Sequence, residues 1–206
     1  YLLVSRVLGK HLPVTPERMH TSHEALAAQL PPDRPGPVLF VGMGETATGL
    51  GWGVWQAWAS RYRRHDVLYV HSTRYPLDGC ETVAFEEGHS HGPAQVVCVP
   101  ETATLRAQWQ SAKTLVVVDD ELTTGATAVD LANALARAGL DFTERHAVTL
   151  VVTESQELRT RFGGDGVPVA VARQVAAIPG VKAVTALNFL PGYVQDPKNQ
   201  AFLLMV

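Results

Sequence analysis

Two neighbouring carboxylates followed by a hydroxyl-rich turn are the residues of this chain best suited to chemistry. They lie in TLVVVDDELTTGAT, residues 114–127, as Asp119 and Asp120 and then Thr123, Thr124, Gly125, Ala126 and Thr127. Small side chains, hydroxyls and free backbone N–H groups at a helix start form an anion cradle, because unpaired amides and the helix dipole both favour negative charge. The carboxylates repel the same anion and therefore need another target. A sugar supplies one: each acid accepts hydrogen bonds from a vicinal diol while the turn encloses a phosphate on the same ring. Val116, Val117 and Val118 must position these groups, as a β-branched strand of the kind covered on both faces of a parallel sheet. The acids then fall at its carboxyl end, where open α/β sheets bind their ligands.

Three other stretches carry polar groups of interest. FVGMGETATGLG, residues 40–51, reads as strand, glycine-rich turn and helix, but its Gly42-x-Gly44 does not meet dinucleotide-binding spacing cleanly. It is either a plain connection or an anion loop. Arg74 in HSTRY follows a strand over residues 67–70, and its planar fork suits phosphate oxygens; the bland alternative is a solvated loop cation. FEEGHSH, residues 85–91, holds Glu86, Glu87, His89 and His91 within a loop spanning 72–94. It reads as a solvated loop, as a zinc set with His71, or as a lid whose imidazoles bond to phosphate or move a proton near neutrality. The usual spacings of zinc sites are absent, and the lid is preferred. Trp52, Trp55 and Trp58 recur at a spacing of three and are expected to pack as one helical face.

The remaining elements follow from punctuation. Thr15-Pro16-Glu17 opens a helix that Pro31, Pro32, Pro35 and Pro37 terminate as a stiff linker. Residues 38–41, 67–70, 95–99, 116–118, 148–152 and 167–171 read as strands. Helices are expected over 52–58, from Ala126 to Arg137 with Gly139 closing, and over 155–162. Residues 178–206 read as extended or irregular. Strands alternating with helices imply βαβ units, hence a mostly parallel sheet covered on both faces.

At 206 residues with 46% hydrophobic and 18% charged content, the chain is one globular domain with an appendage at most. A net charge of −3 leaves no footprint for nucleic acid, and no apolar run approaches the roughly 20 residues that span a bilayer. Cys80 and Cys98 do not make a disulfide framework, so a cytoplasmic location is expected. A start at Tyr1 and an apolar close in LLMV imply further chain on either side.

VVVDDELTTGAT resembles the phosphoribosyl-pyrophosphate (PRPP) motif of type I phosphoribosyltransferases: apolar strand, acidic pair, two intervening residues and T-T-G-x-T. VLGKHLPV, FVGMGETATGLG and FEEGHSH are together similar to the phosphoribosyltransferase-like proteins encoded in tellurium-resistance gene clusters, over most of the chain. The resemblance implies an α/β fold with a mostly parallel twisted sheet of about five strands, helices on both faces, a mobile hairpin or lid and a small hood. Residues 1–37 would be an N-terminal segment and linker contributing to the hood, 38–177 the PRPP-binding core and 178–206 a C-terminal hood or tail.

For the site, the resemblance implies that Asp119 and Asp120 hold the ribose 2- and 3-hydroxyls and Mg²⁺ through water. Thr123, Thr124, Gly125, Ala126 and Thr127 would surround the 5-phosphate. Gly44, Glu45, Thr46 and Ala47 would receive the diphosphate with Arg74, and His89 and His91 would act from the lid. Glu45 beside an anion is awkward, and the sequence leaves open whether it reaches Mg²⁺ through water or points away. Activity would be transfer of ribose 5-phosphate from PRPP·Mg to a nitrogen of a small-molecule acceptor, or its pyrophosphorolytic removal, in a homodimer. Thr123 stands where purine-type relatives carry an acid before T-G-x-T, so a nucleobase acceptor would be of the orotate type. Orotate-type loops use lysine and histidine; Lys10 and His11 could stand in for the lysine missing between Arg74 and Lys113. The alternative is a non-catalytic PRPP- or nucleotide-sensing module. A Rossmann-type oxidoreductase comes last, because it leaves VDDELTTGAT without a role.

Overall fold

The structure, a computed structural model, describes residues 7–10, 12–75, 77–86, 95–122, 125–152, 192–195 and 202–205. In chain order its elements are α1 (Pro16–Ala27), β1 (Val38–Gly42), α2 (Thr48–Tyr62), β2 (Val67–Thr73), β3 (Thr82–Phe85) and β4 (Gln95–Cys98). There follow α3 (Ala103–Ser111), β5 (Thr114–Leu122), α4 (Ala126–Arg137), β6 (Glu144–Val152), β7 (Gly192–Gln195) and β8 (Phe202–Met205). The first six strands of this series form one sheet in the order β3-β4-β2-β1-β5-β6. β1 pairs parallel with β2 and β5, and β5 with β6, whereas β4 is antiparallel to both β2 and β3. This is the expected α/β fold with a mostly parallel sheet.

The two central strands are apolar because both faces are covered. All five residues of β1 are buried, as are the first five of β5. α2 crosses β1, β2 and β5, with α1 packed outside it. Trp58 of α2 is fully buried beside the Phe40 ring at 5.6 Å, and its indole N–H donates to the Leu30 carbonyl at 2.9 Å. The chain thus ties the end of the α1 segment to the sheet through one side chain.

The order of strands sets where a ligand can enter. From β1 the chain crosses through α2 to β2 on one side; from β5 it crosses through α4 to β6 on the other. Connections diverging from an adjacent strand pair open a crevice outside the carboxyl ends of those strands. β1 ends its pairing with β5 at Gly42 opposite Val118, yet β5 continues against β6 as far as Leu122 opposite Val152. Residues 119–122 therefore project past β1 along the rim of that crevice.

Several expectations need correction. The tryptophans of α2 do not share a packing face: Trp58 is buried, Trp55 half-buried and Trp52 is 48% exposed. At 3.6 residues per turn each step of three falls about 60° short of a full circle, so Trp52 and Trp58 stand roughly 120° apart. The span 72–94, read as lacking regular structure, contains β3, an edge strand whose one buried residue, Phe85, gives no alternating pattern. β3 makes the sheet six strands rather than about five. α3 also escaped the sequence, since only Trp109 of its nine residues is buried. β6 begins at Glu144 rather than 148 because His146, polar by type, is 7% exposed within it. Inside the tail expected to be extended or irregular, β7 and β8 are extended and pair antiparallel, which the sequence did not foresee. The expected helix over 155–162 and strand over 167–171 lie outside the described residues.

Candidate functional site

Asp119 and Asp120 occupy the part of β5 that has lost β1 as a neighbour, and both are half-buried. The Asp120 N–H donates to Asp119 Oδ1 at 2.8 Å, which holds the first carboxylate against the backbone of the next residue. Lys10 reaches Asp120 from the far end of the sequence, with Nζ 3.4 Å from Oδ2. Val7, 2% exposed, anchors that segment in the core. An ammonium there offsets the mutual repulsion of two adjacent acids.

Directly after the acids the chain enters α4 through Gly125, whose φ of +71° is left-handed and strains any residue with a Cβ. The N-cap of α4, Gly125, makes no side-chain cap bond, and the positive end of the helix dipole stands beside Asp119 and Asp120. Ala126 and Thr127 begin the helix. Thr123 and Thr124, expected around the same anion, lie outside the described residues.

Across the crevice, residues 43–47 join β1 to α2. The Met43 N–H donates to the Val118 carbonyl at 2.8 Å, which fastens this loop to the residue preceding the acidic pair. The Ala47 N–H closes the turn on the Met43 carbonyl at 2.9 Å. Gly44 donates its N–H to Ser72 Oγ at 2.7 Å, and its carbonyl accepts from Gln95 Nε2 at 3.1 Å. The Ser72 hydroxyl in turn donates to Gln95 Oε1. Ser72 is 0% and Gln95 1% exposed. A Cβ on Gly44 would stand 2.1 Å from the Ser72 carbonyl oxygen, so no other residue fits this loop without moving β2. The peptide between Gly44 and Glu45 is cis. The Glu45 and Thr46 N–H groups donate to nothing among the described residues, and α2 beyond them begins without a side-chain cap.

The Glu45 carboxylate is engaged by Arg74. Its Oε1 accepts the Arg74 N–H at 3.0 Å, and its Oε2 lies 3.3 Å from Arg74 Nη1. The carboxylate therefore neutralises Arg74 and draws it to the loop. The structure thus brings Gly44, Glu45, Thr46, Ala47 and Arg74 together on one side of the crevice. Asp119, Asp120, Gly125, Ala126 and Thr127 line the other. His89 and His91 lie outside the described residues, as does His11. Sequence reasoning missed Ser72 and Gln95; a lone amide opening the apolar run of β4 was the available signal.

Among the described residues no three His, Cys, Asp or Glu side chains converge to hold a metal. Mg²⁺ does not require such a cage: it keeps several waters and binds through one or two carboxylates plus substrate phosphates, which the half-buried Asp119–Asp120 pair fits. A cavity of about 630 Å³ opens elsewhere, between α1 and α2, lined by His20, His23, Glu24, Gln56 and Arg61. It shares no residue with the crevice. No helix among the described residues is long and apolar enough to cross a membrane.

The class of protein is then fixed by sequence family and fold together. Residues 1–177 match the family model of phosphoribosyl transferase, and the chain belongs to that family, a group of pentosyltransferases. Among solved structures, adenine phosphoribosyltransferase from Thermoanaerobacter pseudethanolicus is similar at 18% identity and TM-score 0.52, over 73% of this chain and 78% of that one. The enzyme from Rhodothermus marinus matches at 18% identity and TM-score 0.45, over 75% of this chain and 74% of its own. That from Trypanosoma brucei, in complex with AMP, pyrophosphate and ribose-5-phosphate, matches at 14% and 0.46, over 73% of this chain and 60% of its own. The first of these likenesses establishes a shared type I phosphoribosyltransferase-like fold. No curated protein matches.

Proposed function

We propose that the crevice between β1 and β5 binds PRPP with Mg²⁺ and transfers its ribose 5-phosphate to a nitrogen of a small-molecule acceptor, or removes one by the reverse reaction. One observation carries the reading: an acidic pair stands between the starts of two helices whose N-cap residues, Ala47 and Gly125, make no side-chain cap bond. PRPP has the matching pattern, a phosphate at one end of a diol-bearing ring and a diphosphate at the other. The turn through Gly125, Ala126 and Thr127 takes the 5-phosphate, and Thr123 and Thr124 precede it in sequence. Asp119 and Asp120 accept the ribose hydroxyls. Residues Gly44, Glu45, Thr46 and Ala47 face the diphosphate, Glu45 and Thr46 with backbone N–H groups, and Arg74 brings a guanidinium.

Each group then has a task in the reaction. As the C1–O bond to diphosphate breaks, positive charge grows on the ring, and the two carboxylates stabilise it. Negative charge grows on the leaving group, where the loop amides and Arg74 are already oriented. Mg²⁺ held by Asp119, Asp120 and the substrate oxygens would neutralise part of that charge. Lys10, released from Asp120 when a diol or cation arrives, remains at the mouth of the site.

The finer parts of the reading extend the same proposal. Thr123 in place of an acid favours an acceptor other than a purine, one of the orotate type if it is a nucleobase. The adenine enzymes named above share the fold and do not carry the acceptor across. Residues 1–37 and 178–206 complete a hood around the core 38–177, two copies associate, and the chain is a relative of the proteins encoded in tellurium-resistance clusters. The test is incubation with PRPP·Mg²⁺ and a panel of bases and metabolite pools. Acceptor-dependent diphosphate release is expected, and its loss in Asp119→Asn/Asp120→Asn. Tight PRPP binding with no release under any acceptor would replace catalysis by sensing.

A further inference from the structure

Resting on that reading of residues 44–47, we infer that Gln95 is a positioning residue for the diphosphate, acting from β4 through the backbone of Gly44. Four elements meet at this point. β1 delivers Gly44, β2 supplies Ser72, β4 supplies Gln95 as its first residue, and β5 holds the preceding Met43 through Val118. Gln95 Nε2 holds the Gly44 carbonyl at 3.1 Å while its Oε1 accepts the Ser72 hydroxyl, whose oxygen takes the Gly44 N–H at 2.7 Å. Both polar groups of Gly44 are thereby consumed inside the protein.

The consequence lies one atom further on. The Gly44 carbonyl and the Glu45 N–H belong to one planar peptide unit, so fixing the first fixes the plane of the second. Glu45 is tethered separately through its side chain to Arg74. Among the described residues nothing accepts from the Glu45 and Thr46 N–H groups, which leaves them for an outside acceptor. Burial makes the arrangement costly to leave incomplete: Ser72 is 0% and Gln95 1% exposed, and losing the amide deprives the Ser72 hydroxyl of its acceptor away from water.

Calorimetry on the whole chain with three probes, PRPP·Mg²⁺, magnesium diphosphate and ribose 5-phosphate, reads the role directly. Gln95→Met keeps the volume and removes the hydrogen bonds. It should weaken PRPP and diphosphate about tenfold, the scale of one or two lost hydrogen bonds, and leave ribose 5-phosphate within about twofold. Ser72→Ala removes one hydroxyl from the same network and carries the same expectation if Gln95→Met fails to fold. Unchanged diphosphate affinity in folded variants would overturn the inference, as would equal weakening of all three probes, the mark of a merely structural residue. Failure of wild-type protein to bind PRPP or diphosphate at all would instead remove the functional reading beneath it.

Discussion

At Gly44 a side chain has nowhere to go, because the Ser72 carbonyl lies 2.1 Å from where a Cβ would sit. Gly44→Ala should therefore push residues 43–47 off β2 at a cost of about 1–3 kcal/mol, and diphosphate binding should fall at least about tenfold. Denaturant unfolding and titration with magnesium diphosphate check the two halves. His146 gives a pH expectation. Burial, the largest influence, pushes its imidazole below the ordinary 6.5, and Arg34 adds to this; Glu144, with Oε2 3.0 Å from Nε2, works the other way. Burial lowers His23 as well, helped by His20. Above about pH 6.5 these imidazoles are neutral in folded and unfolded chain alike, and their contribution is intact. As pH falls below that value the unfolded chain takes up protons that the fold resists, so stability declines toward the folded pKa by at most about 1.4 kcal/mol per pH unit per histidine. Melting curves from pH 8 to 5 should show that decline, and His146→Gln should flatten it; identical slopes would exclude His146 as a source. At this scale the acidic pair was legible because its order of residue types is unusual. Ser72 and Gln95 were not, because their importance comes from burial against one another across 23 residues of sequence.

Elements were legible where one face or both are apolar over a full length. β1 and β5 read directly, and α1 announced itself through Thr15, whose hydroxyl accepts the Arg18 N–H at 3.4 Å, followed by Pro16. Edge strand β3 and helix α3 did not, since each buries a single large side chain and most of each surface meets solvent. β5 itself proved longer than its apolar run. Residues 119–122 stay in strand form because β6 continues to pair with them, a tertiary effect invisible in DDEL. The aromatic helix α2 is held by Trp58 far more than by its neighbours. Trp58→Ala should cost about 3–5 kcal/mol through lost burial and the lost bond to Leu30. Trp52→Ala, at 48% exposure, should stay within about 1 kcal/mol. Equal losses at the two positions, measured by guanidinium unfolding, would show that the helix packs as the spacing of its tryptophans first implied.

For the molecule as a whole, strand order does what no motif states. It places the β1–α2 loop and the β5–α4 turn, separated by about 80 residues of sequence, on the two lips of one crevice. Loops were the least legible segments, because they have no periodic pattern to read. The central claim is a single arrangement of PRPP across the crevice, and a crystal of the wild-type protein grown with PRPP·Mg²⁺ tests it most directly. Density should show the 5-phosphate at Gly125, Ala126 and Thr127, the ribose hydroxyls on Asp119 and Asp120, and the diphosphate against Gly44, Glu45, Thr46 and Ala47. PRPP bound elsewhere, or bound with its diol turned away from the two acids, would contradict the account.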